Sequence, residues 1–189
     1  MSTYNSLKSG TDMRAVAMGD KALLTPQLAE RIGRAFAEWI DRRAAASNTQ
    51  DEVQTIAIGR DARLTGEALL AACAHGMAMQ GFRVLDFGMC TTPAMFKCLV
   101  GDQPLAQASI MITASHHPAA RNGFKFFTPQ GGINAEELSE IIALMEEDFE
   151  PSGRMGIVEK SDYLRRYTKD LMELVREKLD DPVSRPLLG

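Results

Sequence analysis

The stretch VQTIAIGRDARLTGEALLAACAHGMAMQGFRVLDF, residues 53–87, changes its periodicity twice, and those changes decide the fold. Val53 to Ile58 is rich in β-branched residues and halts at Gly59-Arg60-Asp61, which predicts a strand running into a loop. Thr65 is placed to cap a helix whose apolar face carries Leu69, Leu70, Cys73 and Met77 and which stops at Gly81. Arg83 to Phe87 returns to a short strand. Strand, helix and strand in that order are the repeating unit of a parallel sheet.

The same alternation extends in both directions. Upstream, Thr25-Pro26 reads as a cap followed by a first-turn proline, with Leu28, Ile32, Phe36, Trp39 and Ile40 at helical spacing. That helix runs out in Asp41-Arg42-Arg43 and a polar surface connection, AAASNTQDE. Downstream, Thr91-Thr92-Pro93 opens a short helix through Leu99, and Ala108 to Ile112, ASIMI, is a compact apolar strand. Phe124 to Phe127 suggests another strand and Gly131-Gly132 a turn. Asn134 with Glu137 forms a capping pair for a helix bearing Leu138, Ile141, Ile142 and Met145. Residues 1–150 therefore predict an α/β domain with a mixed, mostly parallel sheet and helices on both faces. Residues 151–160, within and after EPSGRMG, have linker composition, and Ser161 opens an amphipathic helix with Tyr163, Leu164, Tyr167, Leu171, Leu174 and Val175 toward one side. One such helix cannot bury its own apolar face, so 161–189 is expected to start a second α/β domain or to pack back on the first.

Composition narrows the function classes. The 189 residues suffice for one good domain and part of another, and 45% hydrophobic with 24% charged residues is ordinary globular content. A net charge of -4 argues against non-specific binding to nucleic acid or membrane surfaces, so any anion site must be local. Cys73, Cys90 and Cys98 are odd in number and lack metal-ligand spacing, which reads as buried thiols in a reducing compartment. No signal-like or membrane-spanning apolar run occurs, and a cytoplasmic location is expected.

A mostly parallel sheet collects ligands beyond the carboxyl ends of its strands, where GRDAR, GMCTTP and TASHHP fall. The last belongs to TASHHPAARNGFK, 113–125, which sets Ser115 among basic side chains and turn formers. A serine oxygen needs a partner to orient it, share its proton or neutralise transferred charge, and His116 or Lys125 could supply this. There is no GxSxG elbow and no recognisable Asp–His pair, so the loop suits a phosphoryl-bearing serine better than a hydrolase serine. The competing reading is a serine that merely caps a turn before Pro118, with Asn122-Gly123 as a tight turn leading to the next strand. Arg14 and Arg60 are candidates to clamp phosphate oxygens, and Asp61 with Arg63 reads as a local ion pair. The adjacent His116 and His117 would point apart in extended chain, which argues against joint metal ligation.

Taken in order, SGTDMR at 9–14, GRDAR at 59–63, TTP at 91–93, TASHHP with NGFK at 113–125 and GG at 131–132 resemble the first domain of the α-D-phosphohexomutases, the phosphoglucomutase/phosphomannomutase family. The resemblance covers roughly residues 8–150. It implies that Ser115 carries a phosphate, donated to a hexose monophosphate to give a hexose 1,6-bisphosphate that reorients and returns its other phosphate. It further implies Ser115 as a Mg²⁺ ligand through that phosphate, His116, Lys125 and Arg14 in proton transfer and charge neutralisation, and Arg60 and Asn122 in substrate or phosphate contact. The chain departs from the family pattern at Asp12-Met13 and Ala15, around Arg14, and at His117, before Pro118. No DGD-type loop supplying the other Mg²⁺ ligands occurs in it, and three further domains are implied as partners. The resemblance leaves three functions open: the N-terminal part of a hexose mutase, a phosphoglucosamine mutase, or a non-catalytic module for sugar phosphates or a protein.

Overall fold

The protein is described here by a computed structural model covering residues 3–46, 54–147 and 153–179. Val53, most of the AAASNTQDE connection, the start of the 151–160 segment and residues 180–189 lie outside the described residues. A 3-10 turn at Thr3–Leu7 leads into β1 (Lys8–Ser9) and β2 (Asp12–Val16), followed by α1 (Pro26–Ala46), β3 (Thr55–Arg60), α2 (Gly66–Met79) and β4 (Arg83–Met89). Next come α3 (Thr92–Lys97), β5 (Ala108–Ile112), β6 (Arg121–Thr128), β7 (Gly131–Gly132), α4 (Ala135–Leu144), β8 (Val158–Lys160) and α5 (Tyr163–Leu179).

The strands form one sheet in the order β1-β2-β6-β5-β3-β4-β8, with β7 paired to β6. β3 runs parallel to both β4 and β5, and β8 is parallel to β4. On the other side, β5–β6, β6–β2 and β2–β1 are antiparallel. Alternation along each strand divides the core. Ile56, Ile58, Val84, Ile110, Phe124 and Phe126 face the layer built by α1, α2 and α4, where Phe36 meets Phe126 at a centroid distance of 5.0 Å. Ala57, Leu85, Phe87, Met111 and Phe127 face α3 and the start of α5. Helices cover both faces because the strands of the centre are apolar on both.

Local signals behave as their chemistry demands at most helix starts. Thr91 Oγ1 accepts from the Ala94 amide, and Asn134 with Glu137 closes a complete capping box. Asn134→Ala removes an acceptor for the Glu136 and Glu137 amides and is expected to cost about 1 kcal/mol in denaturant unfolding; no measurable change would show that the box is redundant.

Three sequence readings are corrected. Thr65 precedes α2 but makes no side-chain cap bond: its backbone is already helical, with φ -82° and ψ -7°, and its hydroxyl accepts from Asn122 Nδ2 at 3.0 Å. Asn122-Gly123 is no turn: both residues lie inside β6, paired with Ala15 and Arg14. Gly123 is there because neighbouring backbone approaches from both sides, a Cβ standing 2.4 Å from Met13 O and 2.9 Å from Thr113 O. Gly131-Gly132 is likewise no turn but the short strand β7, paired antiparallel to Thr128 and Phe127 of β6.

The end of the segment read as linker is also structured. Gly156 donates to Ala78 O, and Val158–Lys160 extends the sheet as β8. Tyr163 then stacks on Phe87 at 4.6 Å. Beyond that anchor, α5 leaves Leu164, Leu171, Met172, Leu174 and Val175 between 36% and 49% exposed, so its apolar side is uncovered.

Candidate active site

Ser115 sits at the carboxyl end of β5, in a loop that returns through Pro118 and Arg121 into β6. It is exposed, and with φ at 56° it is the one non-glycine residue in the left-handed region among the described residues. That conformation costs a residue with a Cβ about 1–2 kcal/mol, so surrounding structure must impose it. The imposing contacts are identifiable. The Ser115 amide donates to Thr113 Oγ1 at 2.9 Å, and the Thr113 hydroxyl donates to Asp61 Oδ2 at 2.7 Å. Asp61 pairs with Arg63 at 3.1 Å, and Arg63 donates to the carbonyls of Ser115, His117, Pro118 and Arg121 at 2.8–3.0 Å. The expected Asp61–Arg63 ion pair therefore exists and does more than hold its own loop.

On the β6 side, Asp12 is a second organising carboxylate. Buried between the hairpin and the sheet, it accepts from Lys125 Nζ at 2.8 Å and from Arg14 Nη2 at 2.6 Å. Arg14 and Lys125, which the sequence suggested separately, are thus joined through one acidic residue that it did not suggest. Arg121 adds a further cation, its Nη2 lying 3.5 Å from Arg14 O. Arg14 Nε and Arg121 Nε are buried without a hydrogen-bond partner. Two guanidinium N–H groups in one cationic cluster thus lack an acceptor among the described side chains, and an anion is one chemistry that could meet them.

His116 and His117 do not point apart, as extended chain would require. The turn after Ser115 stacks their rings at 5.0 Å, 16° from parallel. Desolvation, followed by the charges of Arg14, His116, Arg121 and Arg63, pushes the His117 pKa below its ordinary 6.5. A base with a depressed folded pKa binds protons less well folded than unfolded, so its contribution to stability is intact above about 6.5 and is lost as pH falls from there toward the folded value. NMR titration of the His117 ring is expected to give a midpoint below 6.5, and Arg14→Gln to move it upward. A midpoint at or above 6.5 in the unaltered chain would contradict this environment.

Two other expected contacts lie elsewhere. Asn122 is fully buried, its amide spent on Thr65 Oγ1 and on the Gly123 amide, so it braces β6 and is not free to meet phosphate. Arg60 donates to Asp61 O and pairs with Glu67, and it lines a cleft of about 450 Å³ with Asp86, Gly88 and Lys160, so it joins the serine-loop network only through the Asp61 backbone. Burial raises the pKa of Cys73, and it pushes Cys90 and Cys98 up to about 12, as inert core thiols require. No group of three His, Cys, Asp or Glu side chains among the described residues could hold a metal ion. No helix among them is long and apolar enough to cross a membrane.

The sheet order and the strained serine loop at the carboxyl end of β5 make this an α/β domain with its candidate site at the strand ends. Residues 6–152 match the family model for phosphoglucomutase/phosphomannomutase, alpha/beta/alpha domain I, and the chain belongs to that family. It is 39% identical over 149 residues to a phosphoglucosamine mutase of Leuconostoc mesenteroides, covering 78% of this chain and 31% of that protein. It is 31% identical over 156 residues to a phosphoglucomutase of Neisseria meningitidis serogroup B, covering 82% and 32%. A phosphoglucomutase/phosphomannomutase family protein of Burkholderia thailandensis superposes with a TM-score of 0.73 at 26% identity, over 92% of this chain and 36% of that one. The chain thus spans about a third of the length of these relatives.

Proposed function

We propose that the chain is the phosphoserine-bearing N-terminal part of a mutase that interconverts hexose 1-phosphate and hexose 6-phosphate, glucose or mannose being the sugar. The observation that carries this reading is Ser115, exposed and held left-handed in a loop that Arg63 grips and whose His117 feels the charges of Arg14 and Arg121. In the forward step the phosphorus–Oγ bond of phospho-Ser115 breaks as a sugar hydroxyl oxygen bonds to phosphorus, giving a hexose 1,6-bisphosphate. The hydroxyl proton passes to a base, for which exposed His116 is the candidate. The departing Ser115 Oγ takes up a proton; after the sugar reorients, Oγ gives that proton to a base and bonds to the other phosphorus, whose bond to the second sugar oxygen breaks as that oxygen is protonated. Arg14 and Lys125 supply positive charge to the phosphoryl oxygens, since such transfers depend chiefly on alignment and charge neutralisation.

Mg²⁺ belongs to the proposal as a neutralising cation, but the described side chains form no site for it, and this chain would contribute only a Ser115 phosphate oxygen. The remaining ligands and the sugar-selecting groups are assigned to further domains, partners of this one in a cytoplasmic enzyme. Nucleic acid and membrane are not among its proposed partners. A second reading, with glucosamine phosphate as substrate, is favoured by the 39% identity to a phosphoglucosamine mutase.

The test is the mass of the Ser115 peptide from the endogenous protein, before and after incubation with hexose 1,6-bisphosphate. A phosphoryl group on Ser115 supports the reading, and its absence under both conditions overturns it. Turnover of glucose, mannose and glucosamine 1-phosphates by the same preparation separates the two substrates.

A further inference from the structure

Arg63 uses its whole guanidinium on one task. Nε donates to Asp61 Oδ2, Nη1 to the carbonyls of Pro118 and Arg121, and Nη2 to those of Ser115 and His117. A guanidinium has five N–H bonds in a rigid planar fork, and these contacts occupy them all. The side chain is 12% exposed, and its acceptors come from a segment 52 to 58 residues away in sequence.

We infer that Arg63 is the positioning residue of the Ser115 loop. By drawing the carbonyls of residues 115, 117, 118 and 121 onto one cation, it turns that backbone inward and holds Ser115 left-handed with its side chain in solvent. Asp61 completes the device from the other side: it fixes Nε of Arg63 and, through Thr113, the Ser115 amide. Both flanks of the serine are then tied to one acid–base pair in the loop after β3. The inference deepens the phosphoserine reading and rests on it for its functional consequence. Arg63 is not assigned to touch the phosphoryl group, since its donors are already committed.

Arg63→Lys tests this, because lysine keeps the charge but cannot spread one ammonium over four carbonyls and a carboxylate. Phosphorylation of Ser115 by hexose 1,6-bisphosphate in the endogenous-length protein is expected to slow about a hundredfold, the usual consequence of an ångström-scale misplacement. Amide hydrogen exchange over residues 115–121 should accelerate, while the core strands β3 and β5 stay protected. Wild-type phosphorylation rates and loop protection in the lysine variant would overturn the inference. Should that variant fail to fold, the unaltered protein decides: a locked fork gives separate, slowly exchanging Nη proton resonances for Arg63, and a single averaged resonance refutes it. The two readings fail differently. If unaltered protein takes no phosphate while the fork is locked, the phosphoserine reading falls and the loop clamp stands; if it is phosphorylated and Arg63→Lys is phosphorylated equally fast, the clamp falls alone.

Discussion

Ser115→Ala is expected to reduce mutase turnover of the endogenous-length protein by about 10⁴-fold or more, the range seen when an attacking group is deleted and only binding remains. The loss should be chemical, with little change in stability. The Ser115 side chain is exposed, the loop bonds run through its backbone, and alanine meets the same left-handed penalty as serine. Ser115→Gly sharpens the distinction. Glycine adopts a φ of 56° without that penalty, so this variant should be just as inactive yet about 1 kcal/mol more stable to denaturant. Such an inverse relation marks a residue whose conformation serves chemistry at the expense of the fold. Retained turnover in either variant would remove Ser115 from the reaction.

Asp12→Ala should give the largest loss of stability, about 3 kcal/mol, because it leaves Arg14 and Lys125 beside one another without the carboxylate that reconciles them. The pair is more than a surface ion bridge: Asp12 is 4% exposed, and the Arg14 side chain is 13% exposed. Lys125, at 29%, can recover some hydration, which keeps the figure at the lower end of the range for broken buried pairs. Denaturant unfolding measures the loss, and a shift under about 0.5 kcal/mol would mean that Asp12 and its cations act independently. Phosphorylation of Ser115 should fall in the same variant, since both cations lose the anchor that aims them.

Much of the fold is legible because its parallel strands and their helices announce themselves locally. Thr55–Arg60, Arg83–Met89 and Ala108–Ile112 are apolar on both faces, and Leu69, Leu70, Cys73 and Met77 repeat as a helix face must. The antiparallel side is harder to read. β2 alternates charged Asp12 and Arg14 with buried Met13, which resembles a polar leader until β6 is placed beside it. Asn122-Gly123 carries a turn signal that tertiary contact overrides, since β2 and the residue after β5 crowd Gly123 from either side. Thr65 has a cap's chemistry and position, yet Asn122 claims its hydroxyl from 57 residues away.

The candidate site divides in the same way. Ser115 and Lys125 stand out together in one stretch of sequence, and Arg14 as a guanidinium able to clamp phosphate oxygens. Asp12 and the reach of Arg63 have no local signal, because their partners come from segments distant in the chain. The stacking of His116 on His117 depends on a backbone turn at Ser115 that sequence spacing does not encode.

The insertion of β2 beside β6 has a consequence for how the protein is made. The Lys125–Asp12 bond spans 113 residues, so the charged centre cannot begin to form during synthesis until residue 125 has left the ribosome. Closing so long a loop is entropically slow compared with local helix formation, and the hairpin gains little by itself in the meantime. The helices and parallel strands can condense first, leaving the β5–β6 edge open to receive it. Assembly of the cationic centre is therefore a late folding event, and a nascent chain that stalls early presents an unsealed sheet edge to its surroundings.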